Sequence, residues 1–148
     1  MAGGARKAYD ELTTAIINNA KARAAAEKIM ENEKKILELE EQIDKQHKTA
    51  QDAALRGYEL KQQGKQFDNR IKSQGGGYTW GQAEEAKSLN QQYYEASYEM
   101  AYAHESIKVM RRQIGELNEA NRKLREKYNP DKYIKSGGQG NTTPTISY

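Results

Sequence analysis

The chain has no cysteine and only two prolines, one phenylalanine and one tryptophan among its 148 residues. Without cysteine it can form neither a disulfide staple nor a thiolate zinc site. With so few bulky side chains it cannot fill a thick globular core, so whatever core it builds must be thin and elongated. Both prolines, Pro130 and Pro144, fall near the C-terminus, so nothing of that kind interrupts a helix upstream. No run approaches the roughly 18 apolar residues that a membrane span requires. The opening MAGGARKAYDE lacks the apolar centre of a signal peptide, and we therefore expect neither membrane association nor a secretory leader. Charge of one sign is also missing. The 24 Lys and Arg are interleaved with 21 Asp and Glu, leaving a formal charge of +3, which is the pattern of a solvated surface.

What fills the chain instead is Glu, Lys, Gln, Ala, Arg and Leu, the residues of long helices. In the second half Ala86, Leu89, Tyr93, Ala96, Met100, Ala103 and Ile107 recur at spacings of three and four, and Met110, Ile114, Leu117, Asn121, Leu124 and Tyr128 continue the series. A helix under-wound to 3.5 residues per turn keeps such an edge facing a partner helix. The first half carries the same signal. Ile29, Ile36, Ile43, Ala50, Gly57, Gly64 and Ile71 fall seven apart, interleaved with Ala25, Asn32, Leu39, Gln46, Ala53, Leu60 and Phe67. Upstream, Tyr9, Leu12 and Ile16 are out of phase, which predicts a stutter near residues 18–24 and a separately packed first segment.

Between the two halves lies SQGGGYTWGQ, whose three consecutive glycines permit a sharp reversal. Thr79 with Gln82 three residues later makes a capping box for the second helix, and Asn129 before Pro130 ends it. The expected organisation is a flexible start over 1–8, a first helix over 9–72, a turn at 73–78, a second helix over 79–128 and an extended arm over 129–148. The fold class expected is all-α, a long antiparallel helical hairpin of coiled-coil type with that C-terminal arm.

Helices folded back on a short turn pair residues whose numbers sum to a constant, and 153 satisfies the apolar positions best. It sets Ile29 on Leu124, Ile36 on Leu117, Leu39 on Ile114, Ile43 on Met110, Leu60 on Tyr93 and Phe67 on Ala86, with Asn32 opposite Asn121. The same register brings Glu40 to Arg111, Arg56 to Glu99 and Arg70 to Glu85, and leaves Lys28 unfavourably near Lys127. Exposed ion pairs stabilise by only about 0.2–1 kcal/mol each, so these charges select alignment more than they hold the helices together. Matched asparagines act alike, because a slipped pairing would bury one amide alone. Ala50, Ala53, Gly57 and Gly64 read either as a close backbone approach or as room made for Tyr93 and Met100.

Outside the paired edge, Tyr94, Tyr98 and Tyr102 repeat every four residues and Val109 follows one heptad later. Met30, Leu37, Leu55 and Tyr58 also project away from the edge of the first helix. Together these leave more apolar and aromatic area than a lone hairpin should expose, and tyrosine suits half-wet protein interfaces. The expected subunit interface comprises Tyr58, Tyr94, Tyr98, Tyr102 and Val109, joined by Tyr133, Ile134, Ile146 and Tyr148 of the arm. Residues 133–148 are expected to bind a neighbour in extended form, through NTTPTISY. A nucleic-acid reading would stack bases on the tyrosines, but Glu95, Glu99 and Glu105 among them argue against it. His47 and His104 come side by side in the register without carboxylates to complete a metal site. No nucleophile with a base, no catalytic carboxylate pair and no phosphate loop can be assembled: GGGYTWG lacks the Lys and Ser or Thr that should follow. Neither an enzyme, a cofactor nor a small-molecule substrate is expected.

Trp80 directly followed by Gly81 at a hairpin tip resembles the turn of small secreted WXG-type hairpins. It departs from them in having no residue between Trp and Gly and no acidic residue four places after Tyr128. Type III needle proteins are also helical hairpins, but their loop proline pair is missing here. The abundance of Ala, Gln and Asn, the lack of Cys and the Gly- and Thr-containing arm are similar to small helical internal or ring proteins of tailed-phage virions. That resemblance implies a structural protein that associates with itself and with neighbouring structural proteins, in a virion or the bacterial cytoplasm. A secreted hairpin effector or secretion-apparatus subunit, and a nucleic-acid-associated coiled coil, remain as alternatives.

Overall fold

A computed structural model describes residues 2–134 of the chain. It is an all-α hairpin in which two long helices pack against each other, and among the described residues there is no strand. Helix α1 spans Ala2–Ser73, helix α2 spans Trp80–Tyr128, and a single 3-10 turn, η1, covers Asp131–Tyr133.

Helix α1 starts well ahead of the expected residue 9. Ala2, Ala5 and Ala8 with Arg6 and Lys7 are strong helix formers, and their propensity outweighs the cost of about 1 kcal/mol that each of Gly3 and Gly4 imposes. At its other end α1 closes in a Schellman motif. The Gly76 amide donates to the Ile71 carbonyl at 2.9 Å and the Gly75 amide to that of Lys72 at 3.2 Å. Gly75 and Gly76 have φ of 97° and 94°, a left-handed conformation that costs other residues about 1–2 kcal/mol each.

Helix α2 opens on a complete capping box. The Gln82 amide donates to Thr79 Oγ1 at 3.2 Å, and the Thr79 amide donates to Gln82 Oε1 at 2.9 Å. The side-chain amides of Gln74 and Gln82 also exchange hydrogen bonds at 2.6 and 2.8 Å, tying the end of one helix to the start of the other. Tyr78 meets Phe67 with ring centroids 5.9 Å apart. At the C-terminus of α2, Asn129 takes a left-handed φ of 48° and donates its amide to the Arg125 carbonyl at 3.0 Å. Pro130, which cannot continue a helix, follows it and is fully buried.

The chain divides into two compact units, Met1–Glu38 with Gln113–Tyr148, and Leu39–Arg112. In the first, Ile29 is completely buried and Ala22, Ala25 and Ala26 are buried with it. Asn32 and Asn121 are the buried polar pair of this unit, and Asn32 Nδ2 donates to Asn121 Oδ1 at 2.9 Å, as the alignment summing to 153 requires. Ile36, Ile114, Leu117 and Leu124 are half-buried. In the second unit Ile43, Ala50, Ala53, Phe67, Ile71, Ala96, Ala103, Ile107 and Met110 form the core, and Leu39, Leu60 and Met100 are half-buried. Ion pairs join Arg56 to Glu99 and Arg70 to Glu85 across the two helices.

Several local expectations fare differently. Among the described residues no ion pair joins Glu40 to Arg111; Arg111 instead lies 3.4 Å from His47 Nε2. Tyr93 keeps 39% of its surface exposed and meets Tyr94 edge-on, with centroids 6.2 Å apart. A Cβ built on Gly57 or Gly64 meets nothing within 4 Å, so these glycines mark no close backbone approach. The first segment is not packed on the rest of the described chain: residues 3–21 are exposed throughout.

Candidate interaction surface

Because α2 spends its three- and four-residue repeat on the contact with α1, residues one turn apart on its other side line up facing solvent. Tyr94, Tyr98 and Tyr102 are 67%, 79% and 73% exposed, and Val109 continues the line. The four lie in one unit, together with Leu55 and Tyr58 of α1, which are also exposed. Each tyrosine offers a flat apolar ring with a hydroxyl at its edge, suited to contacts that retain water.

At the Val109 end of this line the helices enclose an open groove of about 580 Å³. Its walls are Gln42, Lys45 and Gln46 from α1 and Tyr102, Glu105, Ser106, Val109 and Met110 from α2. The apolar floor carries one base and one acid on opposite walls. Gln91 and Glu95 share a hydrogen bond of 3.3 Å beside the tyrosines, which keeps that strip polar and acidic.

In the other unit, two arginines hold η1 against α1. The Arg125 guanidinium reaches Asp131 at 3.2 Å and Glu33 at 3.4 Å, and Arg23 lies 5.0 Å from the centre of the Tyr133 ring. Desolvation alone would raise the Tyr133 phenol, but hydrogen bonding and charge from Arg23 and Lys132 outweigh it and hold the group below the ordinary tyrosine value. Tyr133 and Ile134 of the expected interface are thus half-buried on their own chain, and Ile146 and Tyr148 lie outside the described residues.

The segment ahead of this clamp carries Tyr9, Leu12, Ile16 and Ile17, all large, apolar and exposed. At the hairpin tip Trp80 is more exposed than any of them.

The two histidines are not brought together with carboxylates, and among the described residues no group of three or more His, Asp or Glu could hold a metal ion. Among the described residues no helix is long and apolar enough to cross a membrane.

Two of these features were missing from the sequence reading. The Arg125 bridge needs the chain to turn at Asn129, and the Arg23 contact needs η1, neither of which leaves a periodic signal. No family model, curated protein or solved structure matches the chain.

Proposed function

We propose that the chain is a non-enzymatic structural or assembly protein, a helical hairpin that oligomerises and serves as a spacer, ring or scaffold component of a larger complex. The setting its composition resembles is a tailed-phage virion. One observation carries this reading: a continuous line of exposed tyrosines, ending in Val109, on the side of α2 that its own partner helix does not cover. Monomeric proteins rarely leave so much aromatic surface in one contiguous strip. The thin core and the satisfied turn support a part that contributes length and faces more than a cavity for chemistry.

Sedimentation velocity on the purified chain tests it. Association that grows with concentration, and that falls when Tyr94, Tyr98 and Tyr102 are changed together to Ser, is the expected result. A wild-type chain that stays monomeric would overturn self-assembly.

A further inference from the structure

We infer that residues 135–148 fold back on their own chain as a strap, laying Ile146 and Tyr148 against the exposed face of α1 that carries Tyr9, Leu12 and Ile16. Both parts belong to one compact unit, Met1–Glu38 with Gln113–Tyr148, so the strap requires neither a second copy nor the other unit.

The point at which the chain leaves the described residues supplies the first reason. Tyr9, Ile16 and Arg23 are seven residues apart in a continuous helix, about two turns each, so they share one face of α1, with Leu12 between the first two. Arg23 is also the residue that receives η1: its guanidinium lies 5.0 Å from the centre of the Tyr133 ring. Ile134 follows, half-buried and extended, with φ of −83° and ψ of 120°. Residue 135 therefore starts beside the face that carries the stripe. Along that face residues 3–21 are exposed throughout, so the stripe has room for a cover.

Length supplies the second. The stripe from Ile16 to Tyr9 lies about 11–21 Å along the helix from Arg23, at about 1.5 Å per residue. Twelve residues lead from Ile134 to Ile146, with glycine at 137, 138 and 140. A glycine-rich stretch of that length has a root-mean-square span of about 17–21 Å, which matches the distance to be covered. At such a match the local concentration of the arm is on the order of 1 mM, far above that of a neighbour's arm in a micromolar solution.

Chemistry supplies the third. From Tyr9 to Asn19 the positions on this face, Tyr9, Leu12, Ile16 and Asn19, carry no charge, and neither does any side chain in SGGQGNTTPTISY at 136–148. Pro144 disfavours helix around it. In an extended segment Ile146 and Tyr148 point to the same side, about 6.7 Å apart. Leu12 and Ile16 are spaced by about 6 Å along α1, so the two rows of anchors are commensurate.

The full-length protein tests this, and a chain without cysteine takes a single spin label at Ser147→Cys. In one NMR sample the spin-labelled chain is isotope-enriched and diluted in unenriched wild type, so only a chain's own arm broadens its amides. Residues 9–19 should broaden there and residues near Phe67 should not. In a second sample the spin-labelled chain is unenriched and the wild type enriched, so only a neighbour's arm is seen, and residues 9–19 should stay sharp. Ile146→Ser with Tyr148→Ser should speed hydrogen exchange over residues 9–19 by about tenfold or more, because burial of the anchors is lost, while exchange near Phe67 stays as in wild type. Sharp signals in the first sample, broadening confined to the second, or exchange unchanged by the double substitution would each overturn the strap. Sedimentation bears on self-assembly alone, so either conclusion can fail without the other.

Discussion

Replacing Asn32 alone by Leu should cost more stability than replacing Asn32 and Asn121 together. Both side chains are nearly inaccessible, at 2% and 3% exposure, and they are joined by one hydrogen bond of 2.9 Å. In the single variant the Asn121 amide stays buried without its partner, a penalty of about 1–3 kcal/mol. In the double variant no amide is stranded and two leucines gain burial, so the pair becomes neutral or stabilising relative to wild type. At this chain length each kcal/mol moves the melting temperature by about 2–4 °C, so the single variant should melt roughly 2–12 °C lower. Thermal unfolding by circular dichroism on wild type, both single variants and the double variant closes the cycle. A single variant as stable as wild type, or a double variant no better than either single, would refute the account of the buried pair.

Other outcomes follow from the same geometry. Gly57→Ala, Gly64→Ala and Gly115→Ala should each raise stability by about 0.5–1 kcal/mol, because all three are helical and a Cβ there meets nothing within 4 Å. Gly75→Ala should lower it by about 1–2 kcal/mol, since its φ of 97° strains any side chain, and urea unfolding of all four variants beside wild type checks both signs. Glu31 is held below its ordinary value, first by its hydrogen bond to Lys35 and then by Lys28, and Glu119 by its hydrogen bond to Arg122. Both carboxyls are depressed in the fold, so their contribution is fully present above the unfolded value near 4.5 and is lost as pH falls through their lower folded values. Carbon-detected NMR titration should place both midpoints below those of unfolded peptides; midpoints at the peptide value would refute the pairing.

Much of the hairpin could be read before any coordinate, and for definite reasons. Heptad spacing is a property of residue order, and so are the triple glycine, the Thr79 and Gln82 capping box and the pairing of Asn32 with Asn121 by a constant sum. The turn needed only local chemistry. The start of α1 is less legible, because glycines at 3 and 4 read as a loose end whereas the alanines and bases around them favour helix from Ala2. Arg111 went to His47 and not to Glu40 because long exposed side chains choose among several partners of nearly equal energy. The tyrosine strip and the groove differ in kind. The strip follows from spacing on one helix, but the groove takes residues from both helices and has no signature on either. Likewise the Arg125 bridge depends on a reversal after Asn129 that places Asp131 within reach.

The capped turn has a kinetic corollary. Gln74, Gln82, Thr79 and the two left-handed glycines satisfy one another within a dozen residues, so the reversal can form while the remaining chain is still searching. Contacts then close over widening separations, 15 residues at Arg70 and Glu85, 43 at Arg56 and Glu99, and 89 at Asn32 and Asn121. We expect a zipper that starts at the bend, with the paired amides among the late inspectors of an alignment chosen at the outset. Pulsed hydrogen exchange that found residues near Asn32 protected before those near Phe67 would reverse that order.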